Sequence, residues 1–236
     1  MIELKQHGVV WQLDMAAGEN RWNTSFVRAF AEALDQVEAT EGPAAVVVSS
    51  ANEKFFSNGL DLDWVRASEP GEGGDQKVFG KEFMTLMARI ITFPVPTVAA
   101  VNGHAFGAGF MMALCCDVRH MREDRGFVCA NEIQIGMQIP DEELALFRHK
   151  LSGSAYFETV QLARRWTGPH ARDAGFVERT ASLEDLVPGA LERAEQLAPL
   201  GANRALYGGS KERIFGTSPS INGEHGAAHL LRNRSH

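Results

Sequence analysis

Phe55–Leu62 reads FFSNGLDL, and Ala99–Arg119 reads AAVNGHAFGAGFMMALCCDVR. Ala44–Ser49 (AAVVVS) precedes the first stretch, and Thr97–Val101 (TVAAV) opens into the second. Short runs of small and β-branched residues bounded by turn residues predict buried parallel strands. Each stretch therefore has one design: a buried strand, a small-residue turn, then a helix. Glycine has no Cβ, so such a turn lets backbone come close to a ligand. A helix start adds free N–H groups and a positive partial charge. Two turns of this kind, if they converge, can hold one oxygen that becomes negative during a reaction. For either turn alone, tight turning and close packing remain the competing explanation.

Outward from these turns the pattern is mixed. Ile2–Met15 alternates and predicts one or two strands turning at His7-Gly8, and Asn23 or Thr24 can cap a helix through Phe26, Phe30, Leu34 and Val37. Residues 67–76 (ASEPGEGGDQ) predict a mobile surface loop, and 77–92 a helix broken by Phe93-Pro94-Val95-Pro96. DVRHM (117–121) and Gly126–Ala130 predict further strands. From Asp141 onward every segment reads as helical, and the ending HLLRNRSH as a frayed tail. Strands and helices in alternation, then helices alone, indicate a parallel α/β core over 1–140 and a helical C-terminal segment over 141–236.

The 236 residues carry a net charge of −7, which gives no global basic field for nucleic acid. No apolar run is long enough to span a membrane, and the N-terminus is charged where a secretion signal needs an apolar run. Cys115, Cys116 and Cys129 are odd in number and lack metal-ligand spacing, which predicts reduced thiols in a cytoplasmic protein. Gly107-Ala108-Gly109 lacks the third small residue of a dinucleotide fingerprint, since position 112 is Met. No phosphate-loop, zinc-protease or nucleophile-elbow pattern is present.

The two stretches together resemble the crotonase superfamily, the enoyl-CoA hydratase/isomerase proteins. Phe56–Leu62 matches that family's F-[SA]-x-G-x-D-L segment. Ala100–Gly109 matches its [AV]-x-N-G-x-[AV]-x-[GA]-[GA]-G segment, which leads through a helix to Cys116-Asp117-Val118-Arg119. The resemblance runs from the first strands to about Gly216. It implies an α/β fold, a spiral of repeated ββα units followed by a helical segment used in trimerisation. It further implies an acyl-CoA substrate, no metal or redox cofactor, and a homotrimer or a dimer of trimers.

Residue by residue, the resemblance makes the peptide N–H groups of Leu60 and Ala108 the two oxyanion donors. It assigns CoA contacts to Arg21, Trp22 and Asn58, with core packing as the other reading of Trp22. Hydratases of the family use two glutamates. One position is Met111 here, which cannot ionise. The other is Glu132, in Asn131–Gly136 (NEIQIG). Moving a double bond needs one base that takes a proton at C2 and returns it at C4, so a single glutamate suffices.

The resemblance is thus nearer to the Δ3,Δ2-enoyl-CoA isomerases, especially the plant peroxisomal type, which share the look of MREDRGFVCANEI (121–133). It implies isomerisation of 3-enoyl-CoA to trans-2-enoyl-CoA in fatty-acid degradation. Ala130, Ile133 and Ile135 are expected to half-bury Glu132 and raise its pKa. Hydration is expected to be slow, with Glu142 or Glu143 the residues to consider if it is not. Asp61 is expected to hold its turn, and His104 to bond backbone or touch substrate. Met111 and Met112 fit either an acyl pocket or the core. The rival readings are a hydratase or other acyl-CoA enolate chemistry, and an acyl-CoA-binding protein without catalysis.

Overall fold

The fold is laid around Ala45–Ser50 (β3), every residue of which is buried. The computed structural model describes residues 2–67, 69, 71–216 and 226–233. Ile2–His7 (β1) and Val10–Met15 (β2) form an antiparallel hairpin at one edge. β2, β3, Thr97–Val101 (β5), Val118–Arg122 (β7) and Arg179–Ala181 (β9) then run parallel, giving the order β1-β2-β3-β5-β7-β9. The period of two along each strand splits its side chains between two cores. Val46, Val48, Ala99 and Val101 enter the large core with Thr24–Glu38 (α1) and Gln76–Ile91 (α3). Ala45, Val47, Val98 and Ala100 face Leu186, Ala190 and Ala194 of Leu183–Leu197 (α8).

A second sheet of three short parallel strands lies downstream of the first: Phe55–Ser57 (β4), His104–Phe106 (β6) and Val128–Cys129 (β8). Each follows a strand of the large sheet, and each leads towards helical structure. The repeated unit is therefore strand, short strand, helix, as in a ββα spiral. β8 lies within the strand expected at Gly126–Ala130, whereas β4 and β6 were not separable from their turns in the sequence, because three residues carry no usable periodicity. The helices after them are Leu62–Arg66 (α2), Ala108–Cys115 (α4) and, after the turn at Glu132–Ile135, Asp141–Lys150 (α5).

Four expectations need correction. The segment after Asp141 is not helical throughout: β9 adds to the large sheet beside β7. Its three residues, Arg-Thr-Ala, are too few to alternate visibly. The ending is not a frayed tail as far as it is described. Ala227–Arg232 (α10) buries Ala227, Ala228 and Leu231, while 234–236 lie outside the described residues. The loop at 67–76, with Ser68 and Pro70 outside the described residues, is strapped down. Thr24 Oγ1 donates to Asp75 O (2.6 Å), Ser25 Oγ to Glu72 O (2.9 Å) and Trp64 Nε1 to Gly74 O (3.2 Å). Finally, the C-terminal apolar stripe that the sequence offers for trimerisation, with Leu186, Leu191 and Leu197 in α8, packs on the chain's own sheet. The other helices are Gly153–Val160 (α6), Gly168–Asp173 (α7) and Arg204–Phe215 (α9). Among the described residues no helix is long and apolar enough to cross a membrane.

Candidate active site

The two glycine turns meet. A parallel bridge joins Trp22 to Leu60: Trp22 N–H donates to Gly59 O (2.8 Å) and Asp61 N–H to Trp22 O (3.0 Å). Those bonds face Trp22, so the Leu60 N–H points the other way. Gly59 has φ +76°, and a Cβ on it would lie 2.9 Å from Phe106 O and 4.0 Å from Ala108 N. Ala108 is the first residue of α4, so its N–H has no acceptor within the helix. Leu60 and Ala108 line one cavity of about 600 Å³. The Leu60 N–H does not lie at a helix start, as its sequence suggested. It lies at the bridge, and α2 is a single turn capped by Asp61, whose Oδ1 accepts from Trp64 N (3.3 Å).

Glu132 faces the same turn from the opposite side. Gly107 adopts φ +45°, and a Cβ there would sit 2.7 Å from Glu132 Oε1. The other carboxylate oxygen, Oε2, is buried without a hydrogen-bond partner. Burial holds the Glu132 pKa above the usual 4.5, against a smaller opposing pull from its own backbone. The isoleucines expected to supply the burial are themselves about half exposed (51% for Ile133 and 50% for Ile135), though Ile135 lines the cavity beside Glu132. The close contact is with the turn at Gly107.

That wall is mostly apolar. Val65, Phe79, Phe83, Met84, Met111 and Met137 line it, with Arg21, Asn58 and Arg165 as polar members. Met111 is thus both fully buried and part of the cavity, whereas Met112 is core. Arg21 and Asn58 are held as a pair by Glu19. Arg21 Nε donates to Glu19 Oε2 (2.9 Å), and Asn58 Nδ2 to the same oxygen (2.8 Å). These two bonds keep the Glu19 carboxyl below its usual range.

Trp22 is not among the residues that line the cavity. It is completely buried, with ring centroids 4.9 Å from Phe26, 5.7 Å from Phe30 and 5.3 Å from Phe83. His104 is also outside the lining. Its ring packs among Phe55, Phe106 and Phe127 rather than bonding backbone, and burial lowers its pKa, which keeps it neutral. The three cysteines are free and buried, and burial pushes Cys116 and Cys129 up to about 11. Among the described residues no cluster of three or more His, Cys, Asp or Glu side chains is placed to hold a metal ion.

A second carboxyl in the cavity is Glu143, on the first turn of α5. The sequence raised it only as a fallback. Asp141-Glu142-Glu143 looks like the acidic first turn of many solvated helices, where acids complement the dipole. Nothing local marks one of the three as turned inward. Both Glu142 and Glu143 are buried, but only Glu143 lines the cavity.

The enoyl-CoA hydratase/isomerase family model matches residues 3–207. Enoyl-CoA delta isomerase 2, peroxisomal, of Arabidopsis thaliana is 30% identical over 221 residues, covering 91% of this chain and 92% of that protein. Carnitinyl-CoA dehydratase of Salmonella paratyphi A is 35% identical over 172 residues, covering 70% and 64%. An enoyl-CoA isomerase of Mycobacterium tuberculosis has a solved structure similar at TM-score 0.81 and 26% identity, over 98% of this chain and 94% of that one. A second solved structure of that same protein, with TM-score 0.80 and 26% identity over 98% of this chain and 91% of that one, is described as a probable enoyl-CoA hydratase. With a spiral of ββα units, two converging glycine turns and a match over most of its length, this chain belongs to the enoyl-CoA hydratase/isomerase family.

Proposed function

We propose that this protein isomerises 3-enoyl-CoA thioesters to trans-2-enoyl-CoA, a step of fatty-acid degradation. The observation that carries the reading is the pairing of Glu132 with the two turns. A half-buried carboxylate with a raised pKa lies against the same cavity as the Leu60 and Ala108 N–H groups. Met111, where a hydratase of the family would carry an acid, is an apolar wall. In this reading the thioester oxygen sits between the two N–H groups and Glu132 takes the proton at C2. The electron pair moves into the thioester, and the resulting enolate oxygen is held by Leu60 and Ala108. The pair then returns through C2 and C3, and a proton is delivered at C4. The apolar wall receives the acyl chain, and Arg21 and Asn58 receive the CoA portion.

A coupled assay on cis-3-, trans-3- and trans-2-enoyl-CoA of matched length tests this. Isomerisation is expected to exceed hydration by about 10² or more, the contribution of one positioned acid–base group. Hydration as fast as isomerisation would replace this reading with a hydratase. That second reading is favoured by one observation, the extra carboxyl of Glu143 in the cavity.

A trimer, or a dimer of trimers, is part of the same proposal. The α8 stripe no longer supports it. What does is a set of large exposed apolar side chains elsewhere, Phe157, Leu162, Leu206 and Ile214 among them. Light scattering at micromolar concentration is expected to give a mass of three chains or a multiple of three. A monomer would remove the assembly.

A further inference from the structure

Glu143 and Glu132 enter one cavity from different elements, the start of α5 and the turn after β8. Each has an oxygen, Glu143 Oε1 and Glu132 Oε2, that is buried without a hydrogen-bond partner. Neither forms an ion pair among the described residues. Two carboxylates that share a site cannot both ionise readily, so one retains a proton. Glu143 is the one placed to retain it. It lies deeper than Glu132 and its pKa is pushed well up, by burial first and by the Glu132 charge second.

The neighbouring charges do not offset this. Cys115 on α4 is a thiol pushed up by burial, and so stays neutral. Lys150, at the far end of α5, donates to Cys116 O (3.3 Å). Arg232 on α10 is paired with Glu212. On α6, Glu158 is paired with Arg164. Among the described residues, Arg165 and Arg21 are the cations that line the cavity, and Arg21 is held by Glu19.

We infer that Glu143 is the second acid–base group of this site: the pair shares one proton, and Glu143 delivers it to C4 while Glu132 removes the proton at C2. The inference rests on the isomerase reading and deepens it. The step balances. Glu132 gains the C2 proton as the C2–H bond breaks. The C3–C4 π pair forms the new C4–H bond with the Glu143 proton, and the pair from C2–H becomes the C2=C3 π bond. Glu132 is then neutral and Glu143 ionised. Glu132 then releases its proton to solvent and Glu143 takes one from solvent, which restores the starting state with no other reactant consumed.

The test compares wild type, Glu143→Gln and Glu143→Asp on 3-enoyl-CoA deuterated at C2. Wild type is expected to place mainly solvent-derived hydrogen at C4. Glu143→Gln, of the same size but unable to donate in this way, is expected to lose at least about tenfold in turnover. Its residual product should carry more of the substrate's deuterium at C4, because Glu132 must return what it took. Glu143→Asp, which keeps the carboxyl, should recover part of both. Unchanged turnover and label distribution in Glu143→Gln would overturn the inference.

Melting curves against pH, without substrate, give a second reading. A carboxyl whose folded-state pKa lies above the ordinary 4.5 supports the fold fully below that pH. The support is lost as pH rises through the folded value. The melting temperature of wild type should therefore fall more steeply than that of Glu143→Gln as pH rises beyond the ordinary carboxylate range. Parallel curves would also overturn the inference. If wild type turns over no 3-enoyl-CoA, the isomerase reading and the delivery to C4 fall together, and diverging curves would still show that Glu143 keeps its proton in the folded protein.

Discussion

Glu132→Gln is expected to lower isomerase turnover by at least about a hundredfold and to leave acyl-CoA affinity within a few-fold. Removing a proton beside a thioester is difficult even with the enolate stabilised, so the base must lie within hydrogen-bond reach of C2. Glutamine keeps the volume of Glu132 against Gly107 but cannot accept that proton. The Leu60 and Ala108 N–H groups belong to the backbone and remain. Affinity is best read with acetoacetyl-CoA, an enolate mimic. At 100 times its dissociation constant a ligand stabilises the fold by about 2.7 kcal/mol, a melting shift of roughly 5–10 °C for a chain of this size. The shift should be nearly equal in wild type and variant. The pH profile carries a further mark of the same group. Burial raises the Glu132 pKa above 4.5, so the base form, and activity with it, appears only as pH climbs beyond the ordinary carboxylate range. Full activity in Glu132→Gln would make Glu132 a structural residue.

The second large effect is expected at Gly109, one residue after the Ala108 donor. A Cβ there would lie 2.5 Å from Ser57 O and 2.8 Å from Ser57 Cβ. Those atoms belong to β4, the strand that leads into the first turn, so no flexible side chain can yield. Gly109→Ala must push α4 away from β4, and that separates the Ala108 N–H from the Leu60 N–H. Overpacking of this kind costs about 1–3 kcal/mol of stability, and loss of one oxyanion donor about 10²–10³ in turnover. The control is Gly153→Ala in α6, where a Cβ meets nothing within 4 Å. A Gly109→Ala protein with wild-type turnover and melting temperature would show that the two turns do not depend on this contact.

The sheet strands and the long helices were legible because each spans several periods of its own pattern. β3 and β5 read as unbroken apolar runs, and α1 shows its buried face at Phe26, Phe30, Leu34 and Val37. The pairing of the two turns was legible only through resemblance to a family. Each turn by itself is compatible with simple packing, and no local pattern reports that two segments some 40 residues apart converge.

What the sequence determined by itself is the order of strand, glycine turn and helix; the candidates Leu60, Ala108 and Glu132 came from its resemblance to a family. Those features are local: backbone conformation at a glycine, an unpaired N–H at a helix start, and the identity of a side chain. What only the tertiary structure decided is which neighbours each group has. Trp22 went to an aromatic core, while Arg21 beside it went to the cavity with Asn58. Ile133 and Ile135 remained exposed, and Glu132 was buried by a turn 25 residues earlier in the chain. Glu143 left the solvated face that its acidic neighbours suggested and entered the site. Burial and charge coupling depend on atoms distant in sequence, so a second buried carboxyl beside Glu132 becomes visible only after the chain has folded.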